Sequence, residues 1–281
     1  MTRQMVLNGR FVPEDEAAIS PVDRGFQFAE SVYEVIRIYG GRPFEIDRHL
    51  RRFKASAAAI GISDGNVTDT LGSQALELLP RVGDKDALLY MQVSSGAAPR
   101  AHLRPEGLTP TTIAKLMPVP PVPAPWVPQQ LTAMTVPDER WAQCHIKTTM
   151  LLVNTTAKRR AVAEGHDDAI FIRDGFVTEA TAANVFAVIG GVLCTPPKSN
   201  YILHGITREV LLELAAEAGV PVVEGPIHLL RLREAEEVIM TATAFEVASV
   251  TRLDGKTVGN GEPGPVARKL VQRFQKRATG E

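Results

Sequence analysis

The sequence predicts an α+β protein of two domains, a smaller one over 1–117 and a larger one over 129–281, joined by a proline-rich segment at 118–128. Three observations carry that reading. Short β-branched and aromatic runs closed by two-residue turns outnumber the helical segments between them. The segment PVPPVPAPWVP (118–128) can continue neither a helix nor a central strand, because proline lacks the amide donor. At 281 residues, 44% of them apolar, the chain can build one large core or two modest ones.

Asn8-Gly9, between Val6-Leu7 and Phe11-Val12, has the form of a type I′ hairpin. SVYEVIRIY (31–39) alternates as a strand and turns at Gly40-Gly41 into Arg42-Pro43-Phe44. In 47–62, Leu50, Phe53, Ala57 and Ile60 recur at helical spacing before Gly61. A helix over Val67 to Leu79 and strands at 87–95 and 111–119 complete the first half. Beyond the prolines come a helix from about Thr149 to Glu164, then strands 169–172 and 176–180 about Asp174-Gly175. A hairpin follows, 184–189 with 192–194 about Gly190-Gly191, then a helix from near Thr207 to Gly219. Two strands within 236–253 flank a small-residue turn, and 265–278 closes the chain as a helix.

Lys+Arg 31 against Asp+Glu 32 leaves a formal charge of -1, which argues for neither nucleic acid nor an anionic membrane as a partner. The N-terminal residues lack an apolar leader and no stretch approaches the roughly 20 apolar residues of a membrane span, so a cytoplasmic protein with small-molecule partners is expected. Cys144 and Cys194 have no metal-type spacing, and neither a disulfide nor a bound metal is expected. No Ser/His/Asp order, phosphate-binding P-loop or HExxH helix is present.

The chemistry-bearing residues fall into three groups. Lys147, in WAQCHIKTTMLLVN (141–154), and Glu179, in VTEATAANVF (177–186), are a pair that could hold pyridoxal phosphate. The amine would form a Schiff base with the aldehyde, and the carboxylate would keep the ring nitrogen protonated. In HGITREV (204–210), Gly205, Ile206 and Thr207 offer amides and a hydroxyl to an anion at a helix N-terminus, although a plain threonine cap has the same look. The turn Thr241-Ala242-Thr243-Ala244 and Arg52 could add donors and charge. Arg100 and His102, two apart in PRAH (99–102), point the same way in an extended loop and can converge on a carboxylate; an exposed basic loop is the alternative. Tyr33 can present a phenol to the same region. His49 and His145 read as local hydrogen-bonding residues, Cys144 as a packed thiol, and Asp167, Asp168 and Asp174 as turn residues.

Taken in order, DRGFQFAESVYEV (23–35), HLRRF (49–53), QVSSGAAPRAH (92–102), RWAQCHIK (140–147), VTEATAANVF (177–186), GITREV (205–210) and MTATAFE (240–246) resemble the class IV pyridoxal-phosphate enzymes. The likeness is to bacterial D-amino acid aminotransferases in particular. That resemblance implies fold type IV, with a smaller N-terminal α/β domain and a larger, β-barrel-like C-terminal domain carrying helices. It implies that Lys147 binds pyridoxal 5'-phosphate covalently, that Glu179 meets the pyridine nitrogen, and that Arg140 lies near the ring hydroxyl. Arg52, Ile206, Thr207 and Thr243 would hold the phosphate, with Ala242 contributing its backbone. Tyr33, Arg100 and His102 would trap the substrate carboxylate. The last two come from the neighbouring subunit in the family, so a homodimer is implied. The implied reaction is ping-pong transamination between a D-amino acid and a 2-oxo acid, D-alanine or D-glutamate being typical donors.

This chain departs from the pattern at three places. Ser94-Ser95-Gly96 stands where TRG is common, which removes a positive charge. Ala180-Thr181-Ala182-Ala183 replaces a serine-rich run. Ala29-Glu30-Ser31 replaces a glycine-rich version beside Tyr33 and is expected to make the pocket wall bulkier. The rivals on the same fold are 4-amino-4-deoxychorismate lyase, an L-branched-chain aminotransferase and an (R)-amine transaminase; a non-catalytic binder is disfavoured by the presence of both Lys147 and Glu179.

Overall fold

A computed structural model describes residues 4–62, 66–83, 85–119 and 126–280; the middle of the proline-rich segment, 120–125, lies outside the described residues. The chain divides into two compact units, Met1–Pro121 with Ile146–Met150, and Val122–His145 with Leu151–Glu281.

The first unit contains β1 (Gln4–Leu7), β2 (Arg10–Pro13), α1 (Arg24–Phe28), β3 (Ser31–Tyr39), β4 (Arg42–Pro43), α2 (Ile46–Ala59), α3 (Val67–Leu76), β5 (Ala87–Ser94) and β6 (Thr111–Pro118). Its six-stranded sheet runs β2-β1-β6-β5-β3-β4 and is antiparallel throughout. Asn8 and Gly9 both take positive φ, 49° and 76°, as a type I′ turn requires. Val32, Ile36, Leu89, Met91 and Val93 are buried with Phe53 and Ala57 of α2 and Leu71 and Ala75 of α3, so apolar area withdrawn from water holds helices to sheet.

The second unit contains β7 (Gln129–Pro137), α4 (Leu152–Ala163), β8 (Asp168–Arg173), β9 (Phe176–Ala180), β10 (Asn184–Ile189), β11 (Val192–Thr195), α5 (Ile206–Glu217), β12 (Val222–Glu224), α6 (Leu229–Arg233), β13 (Glu237–Ala242), β14 (Glu246–Leu253), β15 (Lys256–Thr257) and α7 (Pro265–Thr279). Its nine-stranded sheet runs β12-β11-β10-β13-β14-β7-β8-β9, with β15 on β14. Strand β7 is parallel to both neighbours, β14 and β8. One core gathers Leu131, Ile170, Val185, Val238, Met240 and Val250. Another packs Ala157 and Ala161 of α4 against Met134, Ala169 and Phe171.

The structure corrects three sequence expectations. Residues 146–150, expected in the C-terminal domain, fold with the first unit because their backbone pairs with β3: Thr148 bridges Val32, and the Thr149 amide donates to Ser31 at 3.0 Å. That pairing also delays α4, which begins at Leu152 rather than Thr149. Asp168 lies in a strand, not a turn, buried and accepting the Thr181 hydroxyl at 2.6 Å.

Candidate active site

In the first unit, Lys147 is fixed by its backbone before its side chain does anything. Its carbonyl accepts the Tyr33 amide at 3.0 Å, and its own amide donates to Ser56 Oγ on α2 at 3.2 Å. The Nζ lies 4.4 Å from the centroid of the Tyr33 ring, where the ring face favours a cation. Tyr33 in turn stacks on Tyr90, centroids 5.8 Å apart, and Tyr90 donates to Gln92 at 2.6 Å.

Next along β3 is Glu34, whose carboxylate is fully buried. Arg52 grips it with two donors, Nε to Oε2 at 3.0 Å and an Nη to Oε1 at 2.7 Å, and His49 Nδ1 lies 3.0 Å from Oε1. Burial alone would raise the Glu34 carboxyl, but the charges and hydrogen bonds of Arg52 and His49 outweigh it and hold Glu34 well below the usual carboxylate range. Burial pushes the His49 imidazole down, against the opposing pull of Glu34 and with help from Arg52 and Lys147. Arg52, read from the sequence as a phosphate ligand, is locked in place by Glu34 with its side chain 12% exposed.

Arg100 and His102 occupy an exposed loop. The Arg100 guanidinium is 4.6 Å from the Phe28 ring centroid, and the His102 ring meets Phe28 edge-on at 6.1 Å, so both rest on one aromatic side chain. Arg104 comes to the Ser95 position, donating to Ser95 Oγ at 3.2 Å and to the carbonyls of Ile60 and Gly61 at 3.1 and 2.6 Å. The Glu30 carboxylate is engaged by Arg24 at 2.6 Å.

In the second unit, Glu179 is buried at the centre of three donors. Arg140 donates to Oε1, while the Leu203 amide at 2.8 Å and Asn184 Nδ2 at 3.2 Å donate to Oε2. Arg140 also forks onto the Asp138 carboxylate, whose side chain has no exposed surface, Nε and Nη2 each at 2.9 Å, and its guanidinium lies 4.4 Å from the Phe171 ring centroid. Burial would raise Asp138, yet its hydrogen bonds and charge contact with Arg140 win and hold it below the usual range. Burial works against the Arg140 charge too, and Asp138 with Glu179 more than offsets it, raising this guanidinium. Cys144 is pushed up to about 11, by burial first, and is an inert thiol at neutral pH.

Ile206 and Thr207 open α5, and no side chain caps that N-terminus. Its first amides are therefore available to an anion. Gly205 is required there because a Cβ would run into Asn184 Oδ1. Asn184 donates to the Leu203 carbonyl at 2.8 Å and is paired in register with Thr241, so one side chain links Glu179, the α5 entrance and the end of β13. There Ala242 and Thr243 lead into the turn to β14, and the buried Thr241 hydroxyl has no protein partner.

A model of the family described as amino-transferase class IV matches residues 31–253, and the chain belongs to that family. A D-alanine aminotransferase of Bacillus licheniformis is 40% identical over 280 residues, 99% of this chain and 98% of that protein. The branched-chain amino acid aminotransferase of Escherichia coli superposes with a TM-score of 0.89 at 27% identity, covering 100% of this chain and 96% of that one. The branched-chain aminotransferase of the archaeon Thermoproteus uzoniensis, solved with norvaline, gives 0.88 at 26% identity, covering 100% and 96%. The architecture is that of fold type IV, and the cofactor of the class is pyridoxal 5'-phosphate; a further branched-chain enzyme of the same fold is solved with pyridoxamine 5'-phosphate. The residues present fit it: an uncapped helix N-terminus for a phosphate, an unpartnered buried hydroxyl near it, and a carboxylate held by three donors. Among the described residues no cluster could hold a metal.

Glu34, Asp138 and Asn184 escape the sequence reading. Only the position of Glu34, beside Tyr33 in an alternating strand, carries any local signal.

Proposed function

We propose that the protein moves the amino group of a D-amino acid, of the D-alanine or D-glutamate type, to a 2-oxo acid in a ping-pong cycle. The observation that carries this reading is the Arg100 and His102 pair resting on Phe28, in a chain 40% identical to a D-alanine aminotransferase. Bound pyridoxal phosphate supplies an electron sink in its pyridine ring. Lys147 would hold it covalently through Nζ, and the same Nζ would carry the proton to and from the substrate α-carbon. Glu179 would hold the proton at the ring nitrogen, and Arg140, clamped by Asp138 and donating to Glu179, would lie near the ring hydroxyl. Arg52, the amides of Ile206 and Thr207, the hydroxyls of Thr207 and Thr243 and the Ala242 backbone hold the phosphate. Tyr33, Arg100 and His102 hold the substrate carboxylate, the last two reaching from a second copy in a homodimer, which accords with their exposure here.

Mixing holoenzyme with D- and L-alanine, D- and L-glutamate and an (R)-amine, and following the visible band of the bound cofactor, tests the assignment. Conversion by the D-amino acids is expected. Conversion by L-amino acids alone would replace it with the branched-chain type of reading, and absence of any band after added cofactor would remove both.

A further inference from the structure

We infer that Arg24 and Glu30 are positioning residues for substrate carboxylate recognition, acting by clamping the loop that carries Arg100 and His102. The inference rests on the carboxylate reading above and extends it to residues that touch no substrate.

The base of the clamp is rigid. Asp23, buried, caps α1 through the Gly25 amide at 2.8 Å and accepts the hydroxyls of Ser94 at 2.9 Å and Thr111 at 2.7 Å. Those two residues end β5 and begin β6, so the entrance of α1 is tied to two sheet strands. The Arg24 amide adds a bond to the Gly96 carbonyl at 2.9 Å.

From that base the Arg24 guanidinium, 2% exposed, turns all three of its nitrogens to the loop and to Glu30. Nε and Nη2 meet the two Glu30 oxygens at 2.6 and 3.0 Å, while Nη1 donates to the Ala101 carbonyl at 2.7 Å and Nη2 to the His102 carbonyl at 3.2 Å. The same guanidinium lies 4.6 Å from the Phe28 centroid, on which Arg100 and His102 also rest. The loop has no strand partner across 99–103, so these bonds define its path. Glu30, in the run Ala29-Glu30-Ser31 that replaces a glycine-rich version in the resembling enzymes, does its work by pairing with Arg24. Its negative charge cancels that of Arg24, so Arg24 contributes geometry rather than attraction. Only a planar fork can reach a carboxylate and two carbonyls at once.

Holoenzyme carrying Arg24→Lys, Glu30→Gln or Arg100→Ala is compared with the parent for the KM of D-alanine, the inhibition constant of propionate, kcat and cofactor affinity. Propionate offers a carboxylate with no amine to react. The expected result for Arg24→Lys is a rise of about tenfold in both KM and the propionate constant, with kcat within about twofold and cofactor affinity unchanged. Glu30→Gln moves both constants the same way by less, and serves alone if Arg24→Lys does not fold. Unchanged constants in the Arg24 and Glu30 variants, with both raised in Arg100→Ala, overturn the clamp and leave the carboxylate reading standing. Unchanged constants in Arg100→Ala as well overturn the carboxylate reading and the clamp with it.

Discussion

The surroundings of Lys147 in the first unit and of Glu179 in the second use one device to opposite ends. Each has an acid with no exposed side-chain surface at its interior, Glu34 in one and Asp138 in the other, gripping an arginine with two donors. Each then sets a second charged group next to that pair, a cation over a tyrosine ring in the first and a carboxylate under three donors in the second. The interior acid is scaffold, because removing it strips a counter-charge and two hydrogen bonds from a largely buried arginine. The outer group carries the chemistry in the function proposed above. Two residues of the same type, Glu34 and Glu179, thus take unlike roles by position alone.

That contrast can be broken by experiment. Lys147→Ala is expected to lower turnover by more than about 10³-fold while changing unfolding free energy by less than about 1 kcal/mol, checked by steady-state rates and urea denaturation. Glu179→Ala should cost about 10² to 10³ in kcat and less than about tenfold in cofactor affinity; unchanged turnover would take Glu179 out of the mechanism. For the scaffold acids the ranking reverses: Glu34→Gln and Asp138→Asn should each destabilise by about 3 kcal/mol, read as a fall in the urea midpoint. If the lysine variant proves the less stable protein, the distinction between scaffold and chemistry fails.

A smaller effect separates the two by pH. The His49 pKa is depressed below its ordinary 6.5 and Glu34 below its ordinary 4.5. The unfolded chain therefore binds more protons than the folded one as acid is added, so stability is full above those ordinary values and falls as pH drops through the folded ones. The His49 share of the loss begins near neutrality, and His49→Gln should flatten the stability slope just below about pH 6.5 while leaving the steeper loss from Glu34 and Asp138 at lower pH.

Much of the fold is legible from local pattern. Strand β3 is read at its observed bounds because alternation, aromatic content and a Gly-Gly turn all agree over 31–39. Strand β7 is not read at all. It lies between prolines, offers only mixed polar and apolar residues in QQLTAMTVP, and owes its strand to parallel partners far along the chain, Ala248–Leu253 and Asp168–Ile172. The site divides the same way. Lys147, Glu179 and Thr207 sit in recognisable segments. Asp138 meets Thr178 and Arg24 meets Ala101 across 40 and 77 positions, and such pairings leave no periodicity to read. In the run Ala29-Glu30-Ser31, expected to make the pocket wall bulkier, Glu30 follows an Ala29 backbone that turns through a left-handed φ of 54°, and its carboxylate goes to Arg24.

The threading of Ile146–Met150 bears on any attempt to cut this enzyme in two. A break in the proline-rich segment leaves the lysine on the C-terminal fragment, while the strand and helix that fix its backbone, Ser31–Tyr39 and Ile46–Ala59, stay on the other. Residues 1–121 expressed alone would lack Lys147, and the remainder would carry it without the Tyr33 amide that its carbonyl accepts. Fragment complementation across that cut must rebuild the Lys147 setting by bringing five residues back to their strand before any cofactor colour can return.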